Sequence, residues 1–338
     1  MKGKIFLLVV SLLVVMSFVS ACTAMPLAPT AGGAQAPAST SADSTYGMDH
    51  KMKITFVTHD LGAGVFAPVR RGMEDACRQI NAECEFLGPQ TYNPTDQVAI
   101  LEAAIAKQPD AIVTTRPDPS AYNQVLQKAI DSGIALATFN TTDPEASKAV
   151  PAPHVGQDFT NYGKVWAREV MRDLPEGGEV AVTDCCFGHF ALEERIRSFK
   201  ETLELEGEGK WVVREVINTS ADPDKVYSAI EAYYQANQDI KGIYGVDYYS
   251  GIISEFIKKN NLQGKLKTGG SDLAPGNVDG LNEGYTSFGL GQNPYWQGYM
   301  PVMMMHQMLA FGVRPNTIDT GTDVVTPDNI GEFNPDYR

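Results

Sequence analysis

The chain has 338 residues, with 27 lysines and arginines against 41 aspartates and glutamates, a formal net charge of −14 at pH 7. A surface that must neutralise phosphates needs an excess of cations, so DNA and RNA are excluded as partners. The length allows two domains, each large enough to bury its own core.

Lys2 and Lys4 precede an apolar run from Ile5 to Val19. Its 15 residues fall short of the roughly 20 that a membrane-spanning helix needs, so residues 1–21 read as a signal peptide. The run ends Val19-Ser20-Ala21-Cys22, similar to a bacterial lipoprotein box, in which small residues precede a cysteine that takes a diacylglycerol and becomes the new N-terminus. Val19 departs from the commoner Leu at the first box position; the alternative is an ordinary signal peptide with Cys22 incidental. Residues 22–50 are expected to be the lipidated Cys22 and a flexible linker, because Pro, Ala, Ser, Thr and Gly dominate from Thr23 to about Asp49 and bury no core. Contact with the membrane would be through this lipid alone, and the folded part would begin near Lys51.

From there strands and helices alternate. Ile54 to Thr58 reads as a strand, Val69, Met73, Ala76 and Ile80 as one face of a helix, and Cys84 to Leu87 as the next strand. Further strands are expected at Ala111 to Thr115, Ile134 to Phe139, Glu179 to Thr183, Val212 to Ile217, Gly242 to Val246, Leu266 to Gly269 and Thr286 to Leu290, with helix-length amphipathic stretches between them. This rhythm implies α/β architecture with parallel sheets. Asn93-Pro94, Asp118-Pro119, Asp222-Pro223 and Asn293-Pro294 read as helix entries, a capping side chain followed by a proline that sacrifices no hydrogen bond.

Four cysteines remain in the folded part. Cys77 lies near a predicted helix end and Cys84 at the next strand start, so an exported chain could join them; whether they pair, and whether the adjacent Cys185 and Cys186 pair, stays open. Cys185-Cys186-x-x-His189 could be a fragment of a metal site, but zinc sites need four ligands in patterned pairs, and neither a metal nor a cofactor is implied.

Ligands of open parallel sheets bind beyond the carboxyl ends of the strands. The residues there are His59 and Phe66, then Asn140, then His189, Phe190 and Arg195, then Asp247, Tyr248, Asp272, Gln292 and Trp296. Carboxylates accept from adjacent hydroxyls, arginine donates to hydroxyl or ring oxygens, and aromatic faces cover the C–H faces of a sugar. Each residue also has a plainer reading: Phe66 as core, Asn140 and Asp272 as turn caps, Arg195 as part of a solvated helix face. A hydrolase would need a nucleophile with its base, or a paired acid and base. No Gly-x-Ser-x-Gly elbow is present, and Asp247 with Asp272 would be the sole glycosidase-like pair.

Gly62-Ala63-Gly64-Val65-Phe66 through Arg71-Gly72-Met73, Gln108-Pro109-Asp110-Ala111-Ile112, Ile134 to Asn140, Glu194-Arg195-Ile196-Arg197-Ser198-Phe199, Gly245-Val246-Asp247, Gly270-Ser271-Asp272 and Gln292-Asn293-Pro294 together resemble the type I periplasmic solute-binding proteins of ABC transporters, in the ribose-binding and autoinducer-2-binding branch. The resemblance implies two doubly wound parallel-sheet lobes joined by three hinge crossings, near Gln157, Gln292 and Asp319. The N-terminal lobe would comprise 53–157 and 293–319, the C-terminal lobe 158–292 and 320–338. It further implies a monomeric, non-enzymatic receptor outside the cytoplasm that closes on a sugar or polyol and delivers it to an ABC permease, with a chemoreceptor or sensor able to read the same closed form. Phe66 would match a stacking aromatic, Arg195 the arginine, Asp247 a polar residue that is often Asn, Asp272 the carboxylate and Gln292 a glutamine near a hinge. Two departures stand out. Ribose-type binders carry Asp-Arg where this chain has Asn140-Thr141, and autoinducer-2 binders carry Lys and Asp where it has His59 and Asn140.

Overall fold

The computed structural model describes residues 44–118 and 120–333. In the first sheet β1 (Lys53–Val57) lies between β2 (Glu83–Leu87) and β3 (Ala111–Arg116); β4 (Ala135–Thr142), β5 (His154–Gly156) and β11 (Ile318–Asp319) follow in that order, all parallel. The second sheet repeats the plan. Its order is β12 (Asp323–Val325), β10 (Phe288–Gly291), β9 (Gly269–Ser271), β8 (Gly242–Gly245), β6 (Gly178–Asp184), β7 (Trp211–Asn218), parallel except for β12 against β10. Each is a doubly wound sheet whose strand order reverses at its first strand, and the crevice beyond that reversal is where such sheets hold ligands.

Helices cover both faces, so β3 and β4 are buried at every position. Ile54 and Phe56 face α1 (Phe66–Ile80) and α10 (Pro294–Phe311), whereas Val57 faces α2 (Pro94–Ala106) and α3 (Asn123–Asp131). In the second lobe α5 (Phe159–Asp173) and α6 (Phe190–Glu206) lie on one face, with Trp166 stacked on Phe199 at 4.1 Å between centroids. On its other face lie α7 (Pro223–Ala236) and α8 (Gly251–Lys259). The remaining helices, α4 (Pro144–Ala149) and α9 (Pro275–Glu283), follow β4 and β9. Cys77 at the end of α1 is disulfide-bonded to Cys84 of β2.

Three passages carry the described chain between sheets: Gln157–Asp158 from β5 to α5, Gln292–Asn293 from β10 to α10, and residues 320–322 from β11 to β12. The structure departs from the expected elements in several ways. Asp118 accepts from the Ser120 and Ala121 N–H groups at 2.8 and 2.9 Å in a turn, and α3 starts only at Asn123; β10 begins at Phe288 rather than Thr286. Strands β5, β11 and β12 were not foreseen, because two or three residues carry no alternation to read. β9 starts at Gly269 rather than Leu266; Leu266 is buried and only Lys267 bridges back, to Gly242. β12 is antiparallel. Asn93 and Asp222 cap their helices as expected, but the Asn293 side chain makes no cap and donates to the Thr320 carbonyl at 2.9 Å, tying two passages together. Finally, the last residues of the segment expected as linker, from 44 on, are part of the fold. Thr45 is fully buried, its hydroxyl accepting from the Met52 N–H at 2.9 Å, and the Tyr46 ring packs on Phe311. The expected signal peptide and Cys22 lie outside the described residues.

Helices α1 and α10 approach so closely that a methyl group on Gly298 would drive into the Val69 carbonyl, and one on Gly72 into the Tyr295 carbonyl. Gly298→Ala is therefore expected to destabilise the protein by about 1–3 kcal/mol through overpacking. Urea unfolding checks it; an unchanged midpoint would show that the helices can separate freely.

Candidate functional site

The carboxyl ends of both sheets face one cavity, and the lobes are shut over it. The Phe190 N–H of α6 donates to the Pro117 carbonyl of the first lobe at 3.0 Å, and the His59 ring meets His189 at 5.1 Å between centroids. The cavity measures about 80 Å³.

The first lobe contributes His59 and Asp60 after β1, Phe66 at the start of α1, Tyr92 after β2 and Asn140 within the end of β4. Phe66 is both core and wall: it packs edge-on against Phe139 and His59. Asn140 adopts a left-handed backbone (φ 60°). Its amide donates to the Gln292 Oε1 at 3.1 Å and the Gln297 Oε1 at 3.0 Å.

The second lobe supplies Arg195, Asp247 and Asp272, facing a wall that includes the Asp60 carboxyl of the first. Asp272 accepts from Gln292 Nε2 at 2.6 Å, and Asp247 accepts from the Cys185 N–H at 2.8 Å and the Tyr249 N–H at 2.9 Å. Burial pushes the Asp247 carboxyl up to about 7, with the Asp184 and Asp272 charges adding to it. Asp184 is likewise raised, to about 6, by burial. Asp272 is raised by burial against the opposing pull of Arg195. The Arg195 guanidinium donates to Gln157 Oε1 at 2.7 Å and to the Val246 carbonyl, and lies over the Tyr162 ring at 4.4 Å. Tyr248 reaches across the cleft, its hydroxyl lying where a side chain on Gly64 would begin.

His59 and His189 are held neutral. Burial takes His59 well below its ordinary value, His189 adding repulsion; burial also takes His189 down to about 3, with Arg195 adding repulsion. Arg195 Nε and one Nδ1 on each histidine are buried without a partner among the described residues. Buried polar atoms in that condition are places where a guest or a water would find a hydrogen-bond partner.

Of the residues expected from the sequence, His59, Phe66, Asn140, His189, Arg195, Asp247, Tyr248, Asp272 and Gln292 all line this cavity. Phe190 does not: its ring turns to Phe159, 6.1 Å away, and its backbone serves the lobe contact. Trp296 is about half exposed, edge-on to Tyr295 and Tyr299 outside the cleft. Asp60, Tyr92, Phe159, Cys185, Cys186 and Tyr249 line the cavity but were not foreseen as lining residues. Tyr92 follows a recognised strand and could have been found by the same rule, whereas Phe159 follows the unreadable β5. Cys185 and Cys186 are bonded to each other, so the Cys-Cys-x-x-His fragment offers no thiolate to a metal. Asp184, Cys185 and Asp247 do present their ligand-type atoms within 4.8 Å of one another.

Residues 54–312 match the family model described as periplasmic binding protein domain. The xylose/arabinose-binding protein XylF of Sulfolobus acidocaldarius is 29% identical over 296 residues, covering 83% of this chain and 72% of that protein. A solute-binding protein from Burkholderia graminis in complex with D-arabinose aligns with a TM-score of 0.78 at 25% identity, over 83% of this chain and 97% of that one. One from Agrobacterium vitis, bound with α-D-tagatopyranose, gives 0.77 at 26% identity, over 85% and 98%.

The paired histidines set a pH dependence with a definite sign. The unfolded chain takes up protons on both below pH about 6.5 while the folded form resists, so their stabilisation is full above that value and is lost as pH falls toward 3. Asp184 and Asp247 act oppositely, because the folded form binds their protons first. Comparison with His59→Gln isolates one histidine. Between pH 7.5 and 5.5 the wild type should lose about 1 kcal/mol more unfolding free energy than the variant; equal changes in urea titrations would mean that His59 is not held neutral.

Proposed function

The chain belongs to the periplasmic binding protein family, and on that premise we propose that it is an extracytoplasmic lipoprotein that captures a monosaccharide, a pentose foremost, between its lobes and delivers it to an ABC transporter permease. It is a binding protein and not an enzyme. The observation that carries the reading is the shut cavity, in which Asp247, Asp272 and Arg195 of the second lobe meet the aromatic and amide groups and the Asp60 carboxyl of the first. Asp272 and Asp247 would accept from sugar hydroxyls, the unpartnered Arg195 Nε would donate to a hydroxyl or ring oxygen, and Phe66 would cover a C–H face. Three carboxyls beside one guanidinium disfavour an anionic ligand. The relatives named for xylose, arabinose and D-arabinose support a pentose.

Closure would supply the signal. The Phe190–Pro117 bond and the His59–His189 contact form only when the lobes meet, so the closed outer surface is the form that a permease, a chemoreceptor or a sensor would read. Cys22 would hold the protein at the membrane by two acyl chains, enough for stable anchoring where one is not.

Calorimetry with D-xylose, L-arabinose, D-ribose and an autoinducer-2-type furanone diol tests the ligand class. A pentose should bind, and Asp272→Ala should weaken it at least about tenfold, the effect of about 1–3 kcal/mol expected for lost buried hydrogen bonds. Failure of every sugar would refute the reading, and unchanged affinity in Asp272→Ala would remove that carboxylate from the site. Separately, Cys22→Ser should move the protein from the membrane fraction to the soluble one, and persistence in the membrane would exclude lipidation at Cys22.

A further inference from the structure

Cys185 and Cys186 are adjacent in the chain, bonded to each other, half-buried, and part of the cavity wall. We propose that this disulfide is a ligand-contacting element of the cleft and that sugar affinity depends on its oxidation. The inference rests on the sugar-binding reading above.

Two features of the turn point to it. A disulfide offers no N–H or O–H, and sulfur is soft and polarisable, so the ring closed by neighbouring cysteines presents an apolar plate suited to a C–H face of a sugar. The backbone of the same turn also seats the polar groups around that plate. The Cys185 N–H donates to Asp247 at 2.8 Å, the Cys186 N–H to Asp184 at 2.9 Å, and the Cys186 carbonyl accepts from the His189 N–H at 3.0 Å. The disulfide restrains the segment joining β6 to α6, and α6 carries Arg195. Cleaving it leaves two thiols that need more room than the bond did and frees the turn that orients Asp247 and His189.

The chemistry balances with a dithiol as reductant. One thiolate attacks a sulfur of the pair and forms a mixed disulfide; the second thiol displaces the remaining protein sulfur. Two electrons and two protons pass to the protein, which ends with two S–H groups, and the reagent ends as its cyclic disulfide. A disulfide re-forms in an oxidising compartment outside the cytoplasm. The pair is thus a binding element that is complete only there.

Cys77–Cys84 lies away from the cavity, between α1 and β2, and serves as the control. Calorimetry with D-xylose, L-arabinose and D-ribose would be run on the full chain, oxidised, reduced by dithiothreitol, and re-oxidised, with thiols counted by mass spectrometry. The same series on Cys77→Ala/Cys84→Ala leaves Cys185–Cys186 as the sole reducible pair of the folded part. Reduction should lower affinity at least about tenfold in both proteins, re-oxidation should restore it, and Cys185→Ser/Cys186→Ser should stay weak under all conditions. If that variant fails to fold, the reduction and re-oxidation series decides alone. A pentose bound equally by oxidised and reduced protein would overturn the proposal while leaving the sugar-binding reading intact. Absence of binding by the oxidised wild type would overturn that reading and this proposal with it.

Discussion

Everything the two lobes do together depends on side-chain amides buried at the passages between them. Gln157 donates to the Gly321 carbonyl and the Thr322 hydroxyl, both at 3.0 Å, while its Oε1 takes a hydrogen bond from Arg195. One side chain thereby ties the first passage to the third and to the charged group of the cleft. At the second passage Gln297 donates to the Gln292 carbonyl and accepts from Asn140, and the Thr320 hydroxyl donates to the same Gln292 carbonyl. An amide both donates and accepts, so it can link segments whose backbone groups are not paired in either sheet. Leaving such a buried group unmatched costs about 1–3 kcal/mol, which restricts the lobes to arrangements that keep the network whole.

That restriction makes the cavity electrostatically selective. Asp60, Asp247 and Asp272 line the cavity with one guanidinium, and Asp184 is buried next to Asp247; all four carboxyls are raised by burial. The three of the second lobe are stabilised by donors from a passage or turn: Gln292 for Asp272, the Cys185 and Tyr249 N–H groups for Asp247, the Cys186 N–H for Asp184. Charges that cannot reach water favour a guest rich in hydroxyl donors. The neutral histidines extend the preference across the cleft, because an imidazole donates and accepts without adding charge. On the first-lobe side His59 and Asn140 are uncharged groups beside the Asp60 carboxyl.

The fold could be read because its signals are local. β1, β3 and the second-lobe strands β6 and β7 announce themselves by composition, and parallel sheets place function at strand ends whatever the ligand. His59, Asn140, Arg195, Asp247 and Asp272 were expected by this rule, and all five line the cavity. Phe190 was misplaced because a residue at a helix start can turn either inward or toward the other lobe, and the Pro117 carbonyl decides which. Thr45 was assigned to the linker because its burial depends on Met52 and Asn81, which its own neighbourhood does not reveal.

The sequence by itself determined the alternating α/β order, the family, and most of the polar groups that line the cleft, because strand periodicity, helix entries and post-strand positions are properties of short segments. Tertiary structure alone decided which of those groups remain available. The Asn140 amide donates to Gln292 and Gln297, and Gln292 donates to Asp272, whereas Arg195 Nε and the Nδ1 atoms of His59 and His189 stay unpartnered among the described residues. It also decided that Cys185 and Cys186 join within the wall and that His59 faces His189. These outcomes follow from two separately folded sheets closing on one another, a long-range condition that no segment encodes alone.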